Sequence, residues 1–70
     1  MEHIEHLGIA VKDLSIAIPL YEKLLGTECY KREEVASENV ITAFFLIGNN
    51  KIELLQATSS ESAIAKFIEQ

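Results

Sequence analysis

The chain has 70 residues, 49% hydrophobic and 24% charged, a composition of one small globular domain rather than a disordered segment. Eleven acidic residues against six basic ones leave a net charge of −5, which argues against nucleic acid, whose phosphates need a cationic footprint. No apolar run approaches the ~18 residues that a membrane span needs.

Ile4 to Val11 reads as a strand, with Leu7, Ile9 and Val11 on one face and Ile4, His6, Gly8 and Ala10 on the other. The first face is bulky and suits a covering helix. The second has small residues and one polar exception. Leu14 to Leu25 places Leu14, Ala17, Ile18, Tyr21, Leu24 and Leu25 at helical spacing, and Gly26 stands where a helix ends in the left-handed conformation. Asp13 and Ser15 both suit the N-cap. Pro19 favours a start near Ser15, which puts it among the first positions, whose N–H groups have no helical partner; a cap at Asp13 predicts a kink instead.

Glu28 to Val35 is a largely charged strand, as expected of a solvated edge. Ala36 to Asn39 turns the chain. Val40 to Ile47 is apolar, branched and aromatic, the signature of a central strand covered on both faces. Gly48-Asn49-Asn50 is hairpin chemistry, and Lys51 to Gln56 is the returning strand. Thr58-Ser59-Ser60-Glu61 matches a capping box, followed by an apolar helical stripe at Ala63, Ile64, Phe67 and Ile68. The order is β-α-β-β-β with a trailing helix, in one domain over residues 1–70. With no Gly or Pro stop before Gln70, the end reads as cut rather than finished.

The single cysteine, Cys29, excludes an internal disulfide, so a domain this small needs another staple: a metal, a partner chain or unusually good packing. A lone cysteine and a Met1-Glu2-His3 start without a basic n-region predict a cytoplasmic protein. Cys29 itself reads as an incidental thiol, with no His beside it in sequence. His6 is open to two readings: a partly wetted sheet residue, or a metal ligand through a neutral ring nitrogen. Glu53 lies between Ile52 and Leu54 in an otherwise apolar strand, where Glu is depleted. It is either a solvated side chain or a carboxylate aimed into a cavity. The two share a site if their strands are neighbours, but two ligands are fewer than a divalent cation takes. His3 has the opposite parity to His6. Tyr21, Phe44, Phe45 and Phe67 read as core, and Lys31-Arg32-Glu33-Glu34 as a solvated edge.

His6-Leu7-Gly8-Ile9-Ala10-Val11, Asp13-Leu14, Ala17-Ile18-Pro19-Leu20-Tyr21 and Leu24-Leu25-Gly26-Thr27 resemble the start of the methylmalonyl-CoA epimerases, of the glyoxalase or vicinal-oxygen-chelate superfamily. The resemblance continues through Thr42-Ala43-Phe44-Phe45, Lys51-Ile52-Glu53-Leu54-Leu55, Ser59-Ser60-Glu61-Ser62 and Ile64-Ala65-Lys66-Phe67, and so covers essentially all of the chain. It implies an α+β fold, a single βαβββ glyoxalase-like module with a C-terminal helix. It also implies that His6 and Glu53 are ligands to a divalent metal ion: Co, Mn, Ni or Zn. Thr42 stands where some epimerases place a glutamate proposed as acid or base, so that role is missing at this position, and no catalytic residue is assigned.

The family's enzymes pair two such modules around one metal, the second supplying another His and Glu. The resemblance therefore implies that this half-module completes its cup as a homodimer, with two His6 and two Glu53 about a twofold axis. Its activity would be an isomerase's: epimerisation alpha to a CoA thioester through a metal-stabilised enolate. The alternatives are a catalytically inactive structural half-domain, natural or engineered, that folds and dimerises, and a truncated epimerase with an exposed sheet edge.

Overall fold

The branched and aromatic run Val40–Ile47 forms the strand at the heart of the molecule, and the elements around it follow from what it must bury. A computed structural model describes residues 5–69. In chain order these are strand β1 (Glu5–Ala10), helix α1 (Leu14–Leu25), strand β2 (Lys31–Val35), a 3₁₀ turn (Ala36–Glu38), strand β3 (Val40–Ile47), strand β4 (Asn50–Ala57) and helix α2 (Ala63–Glu69). The four strands form one sheet in the order β1-β4-β3-β2. β1 runs parallel to β4, with Leu7 opposite Ile52 and Gly8 opposite Glu53. The other two pairings are antiparallel. This is the expected α+β, βαβββ order with a trailing helix.

Alternation along the strands sorts the side chains into two faces. On one, Ala43, Phe45 and Leu54 are fully buried beneath Leu14 and Ala17 of α1, with Ile9, Ile41 and Ile52 packed around them. The other face carries His6, Gly8, Phe44, Lys51, Glu53 and Leu55. The segment entering α2 lies over one end of it, where Val40 and Leu55 meet Ser62 and Ile64 around a groove of ≈ 350 Å³. The remainder of that face is open.

Several local expectations need correction. Helix α1 starts at Leu14 and is capped by Asp13, whose carboxylate accepts from both the backbone N–H and the hydroxyl of Ser15. Pro19 is therefore inside the helix. The gain at the start is a second acceptor from across the sheet: Gln56 Oε1 takes the Leu14 N–H at 2.7 Å. Gly26 ends the helix as expected, with φ +70° and its N–H bonded to Glu22 O. Strand β2 begins at Lys31 rather than Glu28, because Glu22 Oε2 draws the Cys29 N–H toward the helix at 3.0 Å.

The hairpin between β3 and β4 has Gly48 and Asn49 as its two turn residues, flanked by the pair Ile47–Asn50. Gly48 takes φ +59° at the first of them, the position where type II′ turns require glycine. The capping box does not form. Thr58 gives its N–H to Asn39 O, and α2 is capped instead by Ser62, whose buried Oγ accepts from Ile64 N–H at 3.0 Å. Phe67 is 65% exposed and Leu7 55% exposed, so neither is core. His3 and Ile4 lie outside the described residues.

Candidate functional site

The open sheet face collects the chemistry. His6 stands on β1 and Glu53 on the adjacent β4, on the same face, with Gly8 opposite Glu53 in the ladder. Gly8 matters here for its missing side chain: a Cβ would meet Leu55 Cδ1 at 3.2 Å, closer than ordinary contact. Across the β1–β4 seam, His6 Nε2 meets Glu53 Oε1 directly. The His6 side chain is 56% exposed and that of Glu53 20%, so the pair stands at the surface of the open face with the carboxylate partly sunk.

The two residues singled out from the sequence are thus brought together. The condition placed on sharing a site, that their strands be neighbours, holds: β1 pairs with β4 in parallel. An imidazole nitrogen beside a carboxylate oxygen is a donor set that suits borderline divalent cations such as zinc, cobalt, nickel and manganese. It is also incomplete on its own. Among the described residues, no group of three or more His, Cys, Asp or Glu side chains is placed to hold a metal.

Around the pair the face is mixed. Phe44 on β3 lies opposite Glu53, and Lys51 lies opposite His6. Lys31 Nζ stands 5.7 Å and Lys51 Nζ 6.0 Å from the centre of the Phe44 ring. The Tyr30 ring is tilted against it at 6.1 Å. Neither lysine was singled out by composition or spacing. The signal was the odd parity that Lys31 and Lys51 share with Phe44's face, legible once the hairpin registers are known. Thr42 is buried next to this group and spends its hydroxyl on Glu33 O at 3.2 Å. It is not a proton-exchanging group. Cys29 is half-buried beside the core, with its Sγ donating to Lys31 O at 3.3 Å, as suits an inert thiol. None of the described helices is long and apolar enough to cross a membrane.

Residues 5–70 match the Glyoxalase/Bleomycin resistance protein/Dioxygenase superfamily. The chain is 34% identical over 70 residues to an uncharacterised Bacillus subtilis protein, YqjC, covering all of this chain and 50% of that one. It is 36% identical over 67 residues to the ethylmalonyl-CoA/methylmalonyl-CoA epimerase of Cereibacter sphaeroides, covering 96% of this chain and 50% of the relative. Among solved structures it superposes on methylmalonyl-CoA epimerase from Mycobacterium tuberculosis with a TM-score of 0.88 and 31% identity, covering 94% of this chain and 45% of that chain. It therefore spans about half the length of the relatives it matches, and its fold is that of half of their structures.

Proposed function

Because the chain belongs to the Glyoxalase/Bleomycin resistance protein/Dioxygenase superfamily, we propose that it is an epimerase-like half-module that works on a CoA thioester once a second copy faces its open sheet. The observation that carries this reading is the meeting of His6 Nε2 and Glu53 Oε1 on neighbouring strands of an uncovered face. Superfamily members commonly depend on a metal. In a twofold pair, two imidazoles and two carboxylates surround one point, four donors with room for chelating oxygens of a ligand. A divalent cation held there supplies Lewis-acid stabilisation of negative charge on the thioester and carboxylate oxygens.

The chain's own contribution is positional. The parallel pairing of β1 with β4 sets the two donors on neighbouring strands of one face. The second copy buries the face that one module exposes, which also answers the shortage of core in a 70-residue chain. A proton at the carbon alpha to the thioester needs a group that accepts and returns it. The Thr42 hydroxyl is committed to Glu33 O, so among this face's described groups the Glu53 carboxylate is the one that could take that part.

Three measurements test the proposal. Sedimentation at high micromolar concentration gives a dimer; a monomer throughout rejects the paired site. Mn²⁺ binding followed by electron paramagnetic resonance is lost in His6→Ala; unchanged binding rejects the donor assignment. Metal-dependent deuterium uptake at the alpha carbon of methylmalonyl-CoA in D₂O demonstrates turnover. A second reading, a folded and dimeric half-domain without turnover, is favoured by one observation: the hydroxyl of Thr42 is committed to a backbone carbonyl. Dimerisation and Mn²⁺ binding without deuterium uptake select it.

A further inference from the structure

Helix α1 is apolar on two opposite sides. Its inner side buries Leu14 and Ala17 against the sheet, with Ile18, Tyr21 and Leu25 packed around them. Its outer side carries Ile16, Leu20 and Leu24, each four residues from the next and therefore in one row along the helix. They are 68%, 52% and 69% exposed. Leu24, which apolar spacing groups with the inner stripe, belongs to this outer row. A surface helix normally turns polar residues to solvent on that side, and a helix that is apolar all round is normally buried. A contiguous apolar patch of this kind on a soluble domain marks an interaction site.

The charges at the two ends of the helix select the occupant. Lys12 stands just before the first turn and Glu28 just past the last, and both are exposed. Each is at the unfavourable end of its own helix, a cation by the positive N-terminus and an anion by the negative C-terminus. Leu20 lies at the middle of the 12-residue helix. A second α1 laid antiparallel across the first, with the twofold axis at Leu20, sets Ile16 against the partner's Leu24. It also brings Lys12 to the end of the partner helix that carries the partner's Glu28. Both charges then lie at the favourable end of a helix and beside an opposite charge. A parallel pair brings like charges together at each end instead. The row is the same patch on both copies, as a closed twofold contact requires. With three large side chains from each copy, the contact falls at the small end of specific interfaces, so the pair is concentration-dependent.

We infer that the outer row of α1 is a docking surface for a second copy of this chain, packed antiparallel about Leu20 and registered by Lys12 against the partner's Glu28. Helix α1 covers one side of the sheet, and the His6–Glu53 pair lies on the other. This contact is therefore separate from association through the open face, and the two together assemble four copies.

The test is sedimentation equilibrium of the full chain from low micromolar to millimolar concentration, with circular dichroism to confirm that each variant is folded. The substituted side chains are all exposed. The wild type associates, and Leu20→Glu halves its limiting mass. Lys12→Glu and Glu28→Lys each raise the dissociation constant of this contact about tenfold, and the double variant Lys12→Glu/Glu28→Lys returns to within about threefold of the parent. Lys66→Glu, on α2, changes the net charge as Lys12→Glu does and leaves the constant unchanged.

A Leu20→Glu chain with the mass of the wild type overturns the inference, and a dimer that persists in it belongs to the open face. Single charge reversals without effect also overturn it, as does a double reversal that recovers nothing. A dimer that becomes monomeric in Leu20→Glu supports the α1 contact and rejects pairing of the open faces, whereas four copies that fall to two support both. A wild type that is monomeric at millimolar concentration overturns both.

Discussion

The hydrogen bond from the Leu14 N–H to Gln56 Oε1 joins the first turn of α1 to the central strand β4, and removing it is the most informative stability experiment in this chain. Leu14 is 1% exposed, so water does not replace the lost acceptor. Gln56→Leu keeps the volume of the side chain and deletes its oxygen. An orphaned, buried N–H costs about 1–3 kcal/mol, against a total stability of roughly 4–10 kcal/mol for a chain of this size at ~0.05–0.15 kcal/mol per residue.

Partial burial of the new leucine returns up to about 1 kcal/mol, leaving a net loss of about 1–2 kcal/mol. At about 4–8 °C per kcal/mol for small domains, the melting temperature falls by about 5–15 °C. The assay is thermal unfolding by circular dichroism at pH 7, at one fixed protomer concentration so that association does not shift the midpoint. Gln56→Glu is the paired control. It keeps an acceptor and places a negative charge at the helix N-terminus, which is favourable, so it melts at or above the parent at neutral pH. A Gln56→Leu midpoint within about 2 °C of the parent refutes the argument, as does a Gln56→Glu midpoint below that of Gln56→Leu at pH 7.

Leu54 is fully buried beneath α1, and Leu54→Ala costs about 2–5 kcal/mol by urea denaturation; a loss under about 1 kcal/mol means that the core there is not packed as described. The side-chain and backbone hydrogen bonds from Ser15 hold the Asp13 carboxyl below the usual carboxylate range. Its folded pKa is thus depressed, and the stabilisation is present above the unfolded pKa and lost as the pH falls through the folded one. Asp13→Asn keeps a cap and makes the acid limb of the stability profile shallower; an unaltered acid limb counts against the assignment. Gly26 has φ +70° with open space around its Cα, so Gly26→Ala costs about 1–2 kcal/mol from backbone strain alone. Gly26→Asn recovers part of that loss in the same denaturation assay, and equal losses for the two refute strain as the cause.

What the sequence discloses here is local. The span of α1 follows from apolar spacing and a closing glycine, and that of β3 from a run of branched and aromatic residues between turn signals. Face assignments along β1 and β4 follow from alternation, which is why His6 and Glu53 could be named as candidates before their strands were known to touch. What the sequence conceals depends on partners far along the chain. Ser15 seemed the better cap because Pro19 disfavours a long helix, yet Asp13 wins with help from Gln56, forty-odd positions away. The capping box at Thr58 fails because Asn39, on a remote turn, takes the Thr58 N–H. The place of Lys31 over Phe44 is hidden inside a run that reads as solvated edge, since only the register of β2 on β3 puts it opposite that ring.

The pairing of β1 with β4 has a kinetic consequence. The hairpin of β3 and β4 and the turn from β2 to β3 join neighbours in sequence, so they close short loops and can form early. β1 docks on β4 only after nearly the whole chain has been brought back on itself, which is the most costly closure entropy in the fold. His6 and Glu53 sit on opposite sides of that last seam. Their encounter reports that folding is finished, and any ligand that bridges them raises the cost of unzipping the edge strand first. Amide exchange along β1 is accordingly the place where binding at the pair would register most strongly.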